Sequence, residues 1–430
     1  MLVAGGCHSQ GTPSRAERAV GPLGVVRVAL AGFRWPLDPA FAEGRDETTI
    51  ARTLYATPLR TDPATGAVVP GLCSEWKATG DFREWRFTCR SAASIAAALR
   101  RVVRLPDASA GWLFADATRI SAEGSTLLVR LSHAWRRFPY ALTSIGAAPR
   151  SVSGRFQLVS GSRDRVVVRS SRLTVVFRRL GPRAAVREFR RGALDEAPVP
   201  LGDLAATKAD PALKDAVRVR TLLGLDLVVF HRLAAEVRRA YWQTVNRGDY
   251  EELVPAVEGS AAHGLVGADA EADRAAFRRA VKAIPSLPRV AVRVGVPADP
   301  VSRFGAGLLY AQWRDVGLGP RLVTDPAAPV EASFRRMLAA YPQEEAIPAE
   351  LVWGESVGGR AGLLRALAAT RQHDQLDRLD EELRDSAAVV PVAWVVDARL
   401  VSPRLRGWRE DLLGNVDYSA VRSPASSRRP

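Results

Sequence analysis

The sequence predicts an α/β protein, and three observations carry that expectation. Arg289–Val296 reads as a strand, Phe304–Gly317 as a helix and Leu318–Val323 as a second strand, a unit that argues for a parallel sheet. Short β-branched runs (Thr126–Leu131, Val166–Val168, Leu173–Phe177, Leu225–His231) alternate with stretches of helical periodicity. The 430 residues are 47% hydrophobic and 25% charged, an ordinary globular composition with room for two or three domains. No run of about 18 apolar residues occurs, so the sequence predicts no spanning helix.

Taken in order, residues 8–24 form a Gly/Pro/Ser/Arg linker without periodicity, and Val25–Leu30 is the first strand. Glu47–Tyr55 places Ile50, Leu54 and Tyr55 at helical spacing behind Asp46, a plausible cap. Asp62-Pro63-Ala64-Thr65-Gly66 reverses the chain. Pro70-Gly71 then reads as a breaker before a short helical piece carrying Cys73. After the turn at Gly80-Asp81, Trp85, Phe87 and Cys89 alternate with Arg86, Thr88 and Arg90, as in a strand with one wet face. Ser94 opens a helix whose stripe is Ile95, Leu99 and Val102. Arg183–Arg191 is a helix stopped by Gly192, and Ala235–Val245 one expected to end through left-handed Asn246 and Gly248. Residues 258–287 are expected to wrap the surface. Leu363–Arg384 reads as one long amphipathic helix, Val389–Trp394 as a strand and residues 421–430 as a polar tail.

The net charge of +15 raises nucleic-acid binding, and the distribution argues against it. Only four of 61 basic residues are lysine, and the arginines are spread along the whole chain. The densest group, Arg178 to Arg191, shares a helical stretch with Ala184, Ala185, Val186 and Phe189 and reads as a solvated basic face. No zinc-ligand spacing, aromatic RNA-binding strand or basic zipper accompanies it. The five histidines are scattered without HExxH, nucleophile elbow or P-loop, and Gly305-Ala306-Gly307 is a fragment of a dinucleotide loop lacking its acidic partner. The expectation is therefore a protein that is not an enzyme and takes no cofactor or metal. The three cysteines, Cys7, Cys73 and Cys89, have no metal spacing. Cys73 and Cys89, 16 positions apart, are either a disulfide, which needs an oxidising compartment, or two buried thiols.

The stretch Thr53–Arg90, TLYATPLRTDPATGAVVPGLCSEWKATGDFREWRFTCR, resembles the N-terminal signature of the family 5 extracellular solute-binding proteins, receptors of oligopeptide and dipeptide ABC importers. Further pieces resemble the family in the same order: Leu37-Asp38-Pro39, Gly192-Ala193-Leu194-Asp195, Ala235–Asp249, Phe304–Trp313, Trp353-Gly354-Glu355, Val389–Trp394 and Arg406-Gly407-Trp408. The chain departs from the pattern in the missing loop after Arg90, in Ser151–Phe156 and in His231, which stands where the family has asparagine; it is similar to a trimmed, divergent member. The resemblance implies a two-lobed periplasmic-binding-protein-like fold (type II, cluster C-like) with mixed sheets and a ligand cleft between lobes. Its expected divisions are 1–24 as leader and linker and 25–230 as lobe I, with an inserted subdomain at about 70–170. Residues 231–385 would form lobe II, and 386–430 a return to lobe I and a tail.

The function implied is capture of a peptide-like or other small solute outside the cell membrane, for delivery to ABC permease and ATPase subunits. Glu355 is expected on the ligand amine, with Tyr55, Trp353 and Trp394 as cleft walls. An arginine would hold the carboxylate, but the sequence nominates none. Leu2–Cys7 resembles a bacterial lipobox, with Cys7 the lipid-attachment site and membrane anchor. Only six residues precede it, so this expectation places the true start upstream of Met1; the alternative is that an export signal is absent. The chain is expected to act as a monomer without nucleic acid. The rival readings are a scaffold of the same fold that senses or binds without transport, and a basic nucleic-acid-associated protein.

Overall fold

The computed structural model describes residues 24–253, 261–266, 270–283 and 290–422. The chain opens with β1 (Gly24–Leu30), helix α1 (Gly44–Leu54) and the hairpin β2 (Leu59–Thr61) and β3 (Val68–Pro70). β4 (Cys73–Ala78), β5 (Glu84–Cys89), helix α2 (Ala92–Arg104), β6 (Ala117–Glu123) and β7 (Thr126–Leu131) follow. Then come β8 (Gln157–Gly161), β9 (Arg165–Arg169), β10 (Leu173–Arg179), β11 (Glu196–Pro198) and the 14-residue β12 (Val217–Phe230). β13 (Ala291–Gly295), β14 (Gly319–Val323), β15 (Ala332–Leu338) and the 13-residue β16 (Val389–Val401) complete the strands.

Ten of these strands form one mixed sheet in the order β14-β13-β15-β12-β16-β11-β1-β10-β9-β8. On one side, β13 runs parallel to β14 across the helix Pro300–Asp315, the unit that the alternation of strand and helix predicts. Asp299 starts that helix by accepting from the amides of Val301 and Ser302. On the other side, β1 runs parallel to β10 along its whole length. The halves are joined by β12 and β16, which pair antiparallel from Val217↔Leu400 to Val229↔Val389. β12 also pairs with β15 through Gly224–Phe230, and β16 with β11 through Arg399–Val401, so each long strand belongs to both halves. Their ladder shifts register between Thr221 and Leu225 and again between Asp226 and Leu227. Leu225–Phe230 is wholly buried, and apart from Asp226, which is paired with Arg336, it is apolar, as a strand covered on both faces requires.

A separate four-stranded sheet, β4-β5-β7-β6, carries α2 on its inner face. Ile95, Ala96, Leu99 and Val102 pack there with Trp85, Phe87, Leu127 and Val129. Cys73 and Cys89 lie opposite each other on β4 and β5 and are joined by a disulfide. β8 and β9 extend the main sheet, so the separate sheet ends with β7. In the basic stretch, Arg183, Arg190 and Arg191 bridge Asp203, Asp210 and Glu188, the arrangement of a solvated helix face.

Several local expectations are corrected. Residues 73–78 are strand, not helix, because they hydrogen-bond along β5. Asp46 does not cap α1; its carboxylate accepts from the amides of Ala31 and Gly32 at the end of β1, and the helix starts at Gly44. The helix 235–243 ends at Thr244 rather than at a left-handed residue, and Asn246 instead accepts from the amide of Gly248 as the next helix begins. The stretch read as one helix, 363–384, is two (Arg360–Ala368 and Gln372–Ser386). Arg136 takes the carbonyls of Leu367 and Ala368, through its amide at 3.0 Å and its side chain at 2.6 Å, and so ends the first. Residues 261–265 do not wrap the surface: Ala262 and Leu265 are buried, and Ala261 bridges Ala393. Gly192 does stop its helix, at φ +73°.

Gly224 sits inside the register shift, where an added Cβ would lie 2.6 Å from the Met337 carbonyl oxygen and 2.7 Å from a Leu338 methyl. Gly224→Ala is expected to destabilise the protein by about 1–3 kcal/mol in urea melts, while Gly202→Ala, with open space around it, changes little. Equal effects would show that this crossing is not tightly packed.

Candidate functional site

A cavity of about 430 Å³ opens where the halves of the main sheet face each other. From the first half it is walled by one face of α1 (Gly44, Thr48, Arg52), the preceding Ala42 and Glu43, and Ser109, Ala110, Ser144 and Ile145. The second half supplies Pro297, residues 335–340 of β15 and its extension, and Glu350; Leu413 and Asn415 of the C-terminal segment close it. The volume lies toward the small end of known small-molecule sites.

Both halves supply charged groups to the wall: Glu43 and Arg52 from the first, Arg335, Arg336 and Glu350 from the second. Arg335 pairs with Glu355 at 2.6 Å, and Arg336 with Asp226 at 3.0 Å. Asp226 is buried and also accepts from the Tyr250 hydroxyl at 3.2 Å; burial pushes its pKa up and Arg336 opposes the shift. Glu350 opens a π-type turn, Glu350–Gly354, closed by the Glu355 amide donating to the Glu350 carbonyl at 3.1 Å. Burial pushes the Glu350 carboxyl up to about 8; Arg335 opposes this and Glu355 and Glu43 add to it, so the group is largely neutral at pH 7. Arg52, on α1, donates to the Thr143 carbonyl at 3.1 Å while its Nε has no partner. Among the described residues no carboxylate stands within ion-pair distance of it. Asp411 acts on it only through its field and has its Oδ1 engaged by the amides of Leu413 and Asn415.

Behind the cavity a buried ion cluster fixes α1. Arg45 contacts Glu410 at 2.9 Å, Asp397 at 3.2 Å and Glu196 at 3.5 Å. Arg399 contacts Asp397 at 2.9 Å, Glu196 at 3.1 Å and Asp46 at 3.4 Å. Trp408 and Tyr418 donate to Glu196 at 2.8 and 2.9 Å. Two guanidiniums thus face four carboxylates; burial pushes Asp397 up to about 7, with Arg45 opposing and Glu410 reinforcing the shift. Thr48, one turn along α1, donates to Asn415 at 2.9 Å and ties the cavity floor to the same helix.

The small sheet meets the second half along a seam. Arg360 pairs with Asp116 at 2.7 Å, and Arg137 donates to Gln343 at 2.6 Å. Trp353 lies in this seam, its ring 5.2 Å from His133, 5.7 Å from Trp135 and 6.4 Å from Trp112. Glu355 is engaged by Arg335. Tyr55 is half-buried against the first half's core and donates to the Leu37 carbonyl at 3.0 Å. Trp394 sits on β16 opposite Leu225, packed against the large core. None of these four lines the cavity; Glu355 reaches it through Arg335, and Trp353 belongs to the same turn as Glu350. Cys7 lies outside the described residues. Sequence reasoning missed Arg52, Arg335, Arg336 and Glu350. For Glu350 a signal existed, a lone carboxylate in the apolar run Ala346–Trp353; Arg52 had none among so many arginines.

No family model matches the chain, and no curated protein matches it in sequence. Solved structures match it in fold. Haemophilus influenzae OppA in complex with RPPGFSPFR superposes with a TM-score of 0.76 over 93% of this chain and 98% of its own, at 15% identity. The Escherichia coli murein tripeptide binding protein MppA gives 0.75 over 91% and 96%, at 16% identity. The unliganded open form of MppA gives 0.64 over 92% and 96%, at 15% identity. The chain therefore has the two-lobed periplasmic-binding-protein fold.

Glu350 holds its proton in the fold across pH values where the unfolded chain has lost it. Its contribution to stability therefore falls as pH rises from about 4.5 to about 8 and levels off above. Glu350→Gln is expected to gain stability relative to the parent between pH 5 and pH 8.5 in urea melts; a constant difference would mean that the carboxyl is not held neutral.

Proposed function

We propose that this chain is the solute-capturing receptor of an importer, binding a small polar molecule between its halves and changing no covalent bond in it. The observation that carries this reading is the cavity itself, walled by both lobes, each of which supplies charged side chains to a mixed polar and apolar lining. Burying a solute there excludes water, so that a few hydrogen bonds and one or two ionic contacts fix its orientation. The paired crossing strands supply the hinge such capture needs, since their register shifts interrupt an otherwise continuous ladder between the halves. The fold shared with peptide-binding OppA and the murein-tripeptide-binding MppA supports a peptide-like or similarly small solute.

In this reading the protein works outside the membrane as a monomer, and the Cys73–Cys89 disulfide fits an oxidising compartment. Among the described residues no helix is long and apolar enough to cross a membrane, and attachment would come through a lipid on Cys7. The loaded receptor hands its solute to ABC permease subunits driven by separate ATPases.

Native mass spectrometry of the purified chain is expected to show a co-purifying small molecule, and dipeptide and tripeptide mixtures are expected to raise its melting temperature. Ala340→Trp, which fills the cavity from its half-exposed wall, should abolish both effects while leaving the unliganded protein folded. No bound species and no thermal shift, in parent and variant alike, would refute capture.

A further inference from the structure

We infer that the cleft selects solutes carrying an anionic group, a carboxylate seated against Arg52, and makes little demand for a positively charged amine. This inference rests on the capture reading above and names its substrate class.

Of the three arginines on the wall, Arg335 and Arg336 already have their carboxylates, Glu355 and Asp226. Arg52 has none within ion-pair distance among the described residues, donates to the Thr143 carbonyl and leaves Nε unpartnered, with Asp411 acting on it only from a distance. A guanidinium cannot shed its charge at any working pH and has five donors in a planar fork. Partly buried and opposed only by the more distant field of Asp411, it is under-compensated, and an incoming carboxylate would relieve this through two parallel charge-assisted bonds. The helix that carries Arg52 is anchored by the Arg45 cluster, so the cation is held in position rather than free to swing into solvent.

The acids on the wall give the complementary half of the argument. Among the described residues Glu350 has no ion-pair partner, and with its proton retained it serves as a donor rather than as an anion. Glu355 is engaged by Arg335, and Glu43 is exposed at the rim, 3.8 Å from Arg34. Among the described residues a ligand ammonium would thus find no unengaged ionised carboxylate within the cavity, whereas a ligand carboxylate finds Arg52 without an ion-pair partner and a neutral carboxyl donor. The favoured class is a small organic acid, including a short peptide whose amine is dispensable.

Isothermal titration of the full chain with three forms of dialanine tests this. The free acid and N-acetyl-dialanine are expected to bind with similar affinity, and dialanine amide at least about tenfold more weakly. Arg52→Gln should weaken the two acids by at least about tenfold and leave the amide unchanged. The comparison among ligands on the parent protein stands even where the variant folds poorly. Equal binding of amide and acids, or full affinity of Arg52→Gln for the acids, would overturn the charge assignment while leaving capture standing. Binding by none of the three, with Ala340→Trp indistinguishable from the parent, would overturn the capture reading, and this inference with it.

Discussion

The antiparallel pairing of β12 with β16 is the constraint on which the rest of the molecule depends. Each strand is hydrogen-bonded in both halves of the sheet, so the halves cannot separate without breaking a ladder, and on the capture reading they would tilt where that ladder is already irregular. The irregularity is placed between Thr221 and Leu227, where Gly224 lets the backbone of β15 approach closely. β15 pairs directly with this part of β12 and carries Arg335 and Arg336 to the cavity, so any tilt there moves the second wall as a unit.

The opposite wall is fixed by buried charge. Arg45 and Arg399 tie α1, β11, β16 and the C-terminal segment into one network with Glu196, Asp397 and Glu410. Such a network adds little net stability over well-packed apolar residues, because desolvation of each ion offsets most of the attraction. Its effect here is orientation: α1 is held against the crossing strand with Thr48 on Asn415 and Arg52 at the cavity. The halves thus differ in how they present charge, one through a helix pinned by ions and the other through a strand whose arginines have their own partners.

Much of the fold was legible because local signals agreed with one another. The Asp62–Gly66 turn forms with the Asp62 carboxylate accepting from the amides of Ala64 and Thr65 and Gly66 at φ +70°, and Trp85, Phe87 and Cys89 face a core as their alternation requires. Where reading failed, a distant contact decided. Cys73 is in a strand because β5 lies beside it, and the helix expected to run through 369–371 stops because Arg136, more than two hundred positions away, takes its last carbonyls. The site was less legible than the fold for the same reason. The motif pointed to Glu355, which lies outside the cavity wall and is paired with Arg335; which arginine remains without a carboxylate depends on Glu355, Asp226 and Asp411 all being placed first, and no spacing encodes that.

The central claim, that two lobes tilt about β12 and β16 to close on a solute, is tested most directly by pulsed electron paramagnetic resonance. Spin labels at Arg163→Cys, beyond the β8–β9 edge, and Arg303→Cys, on the helix after β13, in a Cys7→Ser chain span the hinge from opposite ends of the sheet. The distance distribution should shift by more than its own width when the tightest-binding of the dialanine forms saturates the protein. One narrow distribution, unchanged by bound solute, would contradict a hinged clamp and leave a rigid body in its place.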